Sequence, residues 1–270
     1  EHAVACGRDG KVAAPGAGGD FAIATAGDRV LTGLLPAGVA THRLSTKHAG
    51  VFTTPGFRVE TDSISVQAWG GGGAQVRLIA DGYPIGTNPI FPRAQLGRDE
   101  PAWLRLDTAY RKGTWAYLEF ATSDDQTRPE KRDSERSWFG VSEIVFGTAT
   151  KSGPTPLTAL LRGAPPRSAG ELAQRYADAL ATALTAWRDS RLDEAQRLLL
   201  DALIRRDALP PKLPDLAALP PLVAEYRRLE AEIPVPRRAP GVFEAESLNA
   251  ALLARGDHLK PGEPVPRSYL

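Results

Sequence analysis

The sequence predicts an α+β chain in several parts: an antiparallel β-sandwich of jelly-roll or galactose-binding-like type, a helical hairpin, and an extended proline-rich tail. Two observations lead there. Residues 20–148 hold four of the five tryptophans and alternate short β-branched or aromatic runs with Gly, Pro and Asp, the texture of strands joined by turns. After Pro154 the apolar residues recur instead at three- and four-residue steps, as in helices that bury one face. The expected divisions are an extended N-terminal segment over 1–19, a ligand-binding-like β domain over 20–150, a helical connector over 151–233, and an extended segment over 234–270 leading toward a further C-terminal domain.

Strands are expected at 51–52, 57–60, 63–69, 75–80, 102–106, 114–121 and 141–146. In Ser63-Ile64-Ser65-Val66-Gln67-Ala68 the apolar residues fall on every second position, which suits one buried and one wet face. Residues 75–79 and 115–120 read the same way. No helix-length period interrupts them, so seven or eight antiparallel strands in two layers are the expectation. Ser168 and Glu171 then have the spacing of a capping box. Leu172, Tyr176, Ala179, Leu180, Ala183, Leu184 and Trp187 form one helical stripe behind it. A second helix is expected over 191–206 with Leu192, Ala195, Leu199, Ala202 and Leu203 inward, Arg205 and Arg206 suiting its negative pole. The turn near Asp189-Ser190 makes the pair a hairpin. Pro210, Pro211 and Pro214 break the pattern, and a short third helix is expected over 222–233 before Pro234 and Pro236.

Composition narrows the function classes. The chain has 270 residues, 42% hydrophobic and 24% charged, with a net charge of +1. That length can bury a core, and that charge creates no field to gather nucleic acid or anionic lipid. Cys6 is the single cysteine, which excludes an intramolecular disulfide, a Cys-x-x-Cys zinc site and a Cys-x-x-Cys-His haem attachment within this chain. No cofactor is expected in it. No apolar run reaches 18 residues, and the first residues lack the pattern of a signal peptide, so no transmembrane segment or export address is expected. Methionine is absent altogether. The expectation is a processed product or an excised piece of a longer protein.

The C-terminal stretch Arg255 to Leu270, RGDHLKPGEPVPRSYL, resembles the entry into a C-terminal domain of unknown function in large planctomycete exported proteins. The preceding IPVPRRAPGVFEAES, from Ile233 to Ser247, is similar to the approach to that domain. LLPAGVATHRLSTKHAGVFTTPGFRVE and GGGGAQVRLIADGYPIG look like the sandwich inserted in some members. Those proteins join a c-type cytochrome domain to further domains of unknown function. The resemblance implies a periplasmic or extracellular location, with other domains or chains of a larger assembly as partners. No haem motif is present here, so a redox function does not carry over.

Four residues are candidates for ligand contact. Carbohydrate-binding sandwiches stack sugars on exposed aromatic rings, and Trp69 stands at a strand end beside Gly70 to Gly73. Its alternative is a core ring that closes the end of the sandwich. Trp103 and Trp115 lie within strands and are expected to be buried. Trp138 follows the polar loop 123–137, where binding residues often sit. Tyr83 and Asp81, in Asp81-Gly82-Tyr83-Pro84, either present a ring and a carboxylate or simply make a turn. The acidic residues of loop 123–137 are interleaved with Arg and Lys, which suits a solvated loop better than a calcium site.

His2, His42, His48 and His258 show no metal spacing and are expected at the surface or hydrogen-bonded. Ser45 lies between His42 and His48, but no Gly-x-Ser-x-Gly elbow supports a nucleophile. Arg255-Gly256-Asp257 matches an integrin-type tripeptide, a match that chance often supplies. No pair of carboxylates stands out for glycoside hydrolysis. The expected function is a noncatalytic β-sandwich module of a larger exported protein that binds glycan; the alternative is a structural or assembly module of a cytochrome-associated complex without a small ligand.

Overall fold

The computed structural model describes residues 18–82, 91–123, 126, 136–148, 154–158, 160, 163–209, 218–234, 249–257 and 260–266. Antiparallel sheets dominate the first half, and three helices follow. The strands are β1 (Phe21–Ile23), β2 (Leu31–Leu34), β3 (Val39–Ala40), β4 (Val51–Thr53), β5 (Phe57–Arg58), β6 (Ser63–Gly71), β7 (Gln75–Ala80), β8 (Arg93–Gln95), β9 (Arg98–Asp107), β10 (Trp115–Ala121) and β11 (Trp138–Phe146). The helices are α1 (Ala169–Arg188), α2 (Glu194–Arg205) and α3 (Pro220–Glu232), and β12 (Ala250–Leu253) pairs with β13 (Pro261–Val265).

Two larger sheets share one core. The first runs β4-β10-β7-β8 with β5 also on β10, and the second runs β3-β11-β6-β9. Alternation along each strand decides what each face meets. Ile64, Val66 and Ala68 of β6, Val76 and Leu78 of β7, Leu106 of β9, Leu118 and Phe120 of β10, and Phe139 of β11 join a single buried cluster. Every long strand expected from the alternating pattern is present. β9 and β11 begin earlier than expected, at Arg98 and Trp138, because pairing with β6 continues past the alternating stretch. The short strands β1, β2, β3 and β8 were not expected, since two to four residues carry no period.

The helices begin and end where local chemistry permits. Ser168 accepts from the Glu171 amide at the start of α1, and Asp193 and Gln196 form a reciprocal capping box on α2. Pro220 stands in the first turn of α3, where its missing N–H costs nothing.

The expected inner face of α2 is incomplete. Leu199 and Leu203 pack near Leu160, Tyr176 and Ala179, as a hairpin would have it. Leu200 and Ile204 bury instead with Leu34 of β2 and Ala183 of α1. The reason is the unpredicted β1–β2 ribbon, which gives α2 a second surface to cover. Between these apolar contacts, Asp201 Oδ1 accepts from the Leu34 amide at 2.8 Å and Arg197 donates to the Leu34 carbonyl at 2.8 Å. Two helix side chains thus satisfy the backbone of a strand that would otherwise end unpaired in a buried position.

Beyond Pro234 the described residues include an antiparallel pair, β12 and β13, and a 3-10 turn over Ala254–Gly256 directly after β12, with Arg255 at φ 54°. No helix among the described residues is long and apolar enough to cross a membrane.

Candidate functional site

The outer face of the second sheet carries the chemistry. Its closed end is built on a close approach. Trp69 of β6 lies in register with Gly140 of β11, and a Cβ at position 140 would overlap the Trp69 indole. Glycine there lets the ring lie flat on the neighbouring strand. Trp138, two pairs further along opposite Gly71, stands on the same face. The segment after β3 then covers both rings with His42, whose imidazole centroid is 4.2 Å from Trp138 and 6.4 Å from Trp69. Trp69 is 2% exposed and His42 7%.

That burial has an electrostatic consequence. Desolvation, aided by nearby Arg43, pushes the His42 pKa down to about 4, while the Phe139 carbonyl and the Asp99 carboxylate pull the other way. Its Nδ1 is buried without a hydrogen-bond partner. The expectation of a surface or hydrogen-bonded histidine is met by the hydrogen bond of the imidazole to the Phe139 backbone, while Nδ1 stays without a partner.

Next to this end, α3 is clamped onto the sheet. The Glu230 carboxylate, 4% exposed, accepts from the Ser45 hydroxyl at 2.6 Å and from both terminal nitrogens of Arg136 at 2.6 and 3.1 Å. These partners hold its pKa down at about 2 against the opposing effect of burial. Lys47 donates to the carbonyls of Glu230, Ala231 and Ile233, the acceptors left open where α3 ends. Ser45 therefore serves the helix clamp, and its proximity in sequence to two histidines has no nucleophilic meaning.

The other end of the face is open. In the row Trp103–Gln67–Glu143, the three side chains come from β9, β6 and β11. Trp103 is 37% exposed, and Glu143 and Arg105 are exposed beside it. The Ser142 hydroxyl donates to Gln67 Oε1 at 2.7 Å and orients that amide. The expectation that Trp103 is buried is corrected here: Leu104 and Leu106 turn to the core, so the pleat turns Trp103 and Arg105 to solvent. Trp115 is also only partly buried, on the outer side of the first sheet, where its indole leaves no room for a Cβ at Gly56.

Beyond Trp103 toward the N-terminus of β9 lies a groove of about 420 Å³, lined by Arg98, Asp99, Glu100, Pro101, Ala102 and Arg205. Three residues of β9 stand between the pairs Ala68–Ala102 and Gly70–Arg98, where β6 has only Trp69. Such a bulge pushes backbone out of the sheet and re-aims side chains.

The four expected contact residues are thus distributed unevenly. Trp69 and Trp138 come together, around His42, with Trp69 enclosed and Trp138 half-buried. Asp81 is exposed in a left-handed turn after β7 of the first sheet, its amide donating to the Trp115 carbonyl. Tyr83 lies outside the described residues, as do nearly all the charged residues of loop 123–137. Among the described residues no cluster of three His, Cys, Asp or Glu could hold a metal ion. Trp103 was legible in Ala102-Trp103-Leu104-Arg105-Leu106, because an indole that shares its face with an arginine belongs to the wet side. Comparison with family models, curated proteins and solved structures yields no match to this chain.

Proposed function

We propose that the chain is a noncatalytic module of a larger exported multidomain protein, periplasmic or extracellular, and that its β part binds glycan. In this reading the two sheets form a jelly-roll or galactose-binding-like sandwich that serves as a rigid platform. The observation that carries it is Trp103: a solvent-facing indole on the pleated face, beside the oriented amide of Gln67 and the charged groups of Arg105 and Glu143. An aromatic face takes the apolar C–H side of a sugar, and neighbouring donors and acceptors take its hydroxyls. Binding needs no bond cleavage and no cofactor. Trp69 and Trp138 support this face from its closed end.

Retardation of the whole chain in polysaccharide-containing gels tests the reading. The wild type should be retarded by at least one polysaccharide, and Trp103→Ala should run free while keeping its folded circular dichroism. Equal mobility of wild type and variant on every polysaccharide removes the function. A structural or assembly role is the second reading, favoured by the hydrogen bonds that tie α2 and α3 into the β part and by the exposed Leu172 and Leu184 of α1. It predicts no retardation and concentration-dependent association instead.

A further inference from the structure

The geometry points to the groove beside β9 as a second sugar subsite, built for a neutral glycan chain that continues from the ring of Trp103; this rests on the glycan reading above. The groove and the ring are contiguous, because Ala102, which lines the groove, immediately precedes Trp103. Adjacent Cα atoms are about 3.8 Å apart, less than the length of one pyranose. Pro101, which also lines the groove, stands two positions before Trp103 in β9 and so falls on the same side of the strand as the ring.

The polar groups of the groove are of two kinds. Arg205 is held in place by Asp201, at 3.0 and 3.1 Å, and approaches Glu100 at 3.5 Å. The side chains of Arg98 and Asp99 make no hydrogen bond or ion pair among the described residues. The bulge of β9 thus presents a free guanidinium and a free carboxylate next to a fixed pair. A carboxylate can accept from two neighbouring hydroxyls and a guanidinium can donate to two, so this set matches the diols of a sugar. Two cations and two anions line the groove. With the signs balanced, no net field draws in a uronate or sulfate, and the substrate class is a neutral oligosaccharide.

Calorimetric titration of the full chain with neutral gluco-, manno- and galacto-oligosaccharides of increasing length, and with oligogalacturonates, tests this. Arg98→Ala and Asp99→Asn should each weaken binding of the longer neutral chains by about fivefold. They should leave disaccharide affinity and Tm unchanged at pH 7.5, since both side chains are exposed, make no hydrogen bond or ion pair among the described residues, and His42, on which the Asp99 charge acts, is neutral there. Trp103→Ala should abolish binding at every length. If Trp103→Ala abolishes binding but Arg98→Ala and Asp99→Asn bind all lengths like the wild type, the groove subsite is wrong and the glycan reading stands. Preference for the oligogalacturonates overturns the neutral assignment. Failure of the wild type to bind any member overturns subsite and glycan reading together.

Discussion

Held between two indoles, His42 resists protonation, and this has a definite sign in the stability of the protein. Its pKa falls from 6.5 in the unfolded chain to about 4 when folded. Between those values the unfolded state binds the extra proton, so the contribution of neutral His42 is full above about pH 6.5 and is lost as pH falls toward 4. The loss amounts to about 3 kcal/mol at most. Glu230 acts in a lower window: its contribution is full above pH 4.5 and declines as pH falls toward 2. Urea titrations from pH 7.5 to 3 should therefore show stability falling first through the histidine window. His42→Phe should flatten that first segment, and Glu230→Gln should flatten the second. An unchanged slope from pH 7 to 5 in His42→Phe would show that the imidazole is accessible.

The indoles themselves give a second prediction at this scale. Gly140→Ala forces a methyl group into the Trp69 ring and should destabilise by about 1 to 3 kcal/mol. Trp138→Ala removes the ring against His42 and should lower stability by about 2 kcal/mol or more, read as a lower urea midpoint. Little change for Trp138→Ala would return that ring to the surface role its loop position suggests. Chemistry at the residue scale was only partly legible beforehand. The turn glycines beside Trp69 pointed outward, whereas the partner that encloses the ring, Gly140, is distant in sequence and adjacent only in register.

At the scale of elements, the joint between α2 and β2 does more than either end cap. Asp201 satisfies the Leu34 amide and Arg205 together, so Asp201→Ala leaves a buried donor without an acceptor and should cost about 2 to 3 kcal/mol. Asp193→Ala removes only the capping box of α2 and should cost about 1 kcal/mol. Chemical denaturation of the two variants tests the order, and a larger effect at Asp193 would make the joint incidental. Ser168 was readable as the cap of α1 because its partner lies three positions away, whereas the Asp193 cap was not expected, the apolar stripe having placed the start of α2 at Arg191. Asp201 and Arg197 look like solvent-side charges in a helical stripe, since the strand they serve precedes them by more than 160 residues.

For the whole molecule, the helices and the β part unfold as one if these contacts matter. The cluster of Leu34, Ala183, Leu200 and Ile204 draws on β2, α1 and α2, and Arg227 of α3 donates to the carbonyls of Ala24, Gly27 and Arg29 in the β1–β2 connection. Residues 155–270 expressed alone lose all these partners and should be weakly cooperative or aggregation-prone, because α1, α2 and α3 then lack the β-part surface that covers their apolar and polar contacts. A sharp independent thermal transition followed at 222 nm for that piece would contradict this.

The sequence by itself determined the long strands, the three helices, the order of β before α, and the capping of α1 by Ser168. Each of these rests on side-chain period or on partners within four residues, so local chemistry suffices. Tertiary structure alone decided that α2 covers the β1–β2 ribbon, that Ser45 and Arg136 clamp Glu230, and that Gly140 and His42 are the groups that enclose Trp69. Those outcomes depend on strand register and on contacts across 94 to 185 residues. A period of two marks the faces of a strand, but which face stays open is settled by what the rest of the chain lays over it.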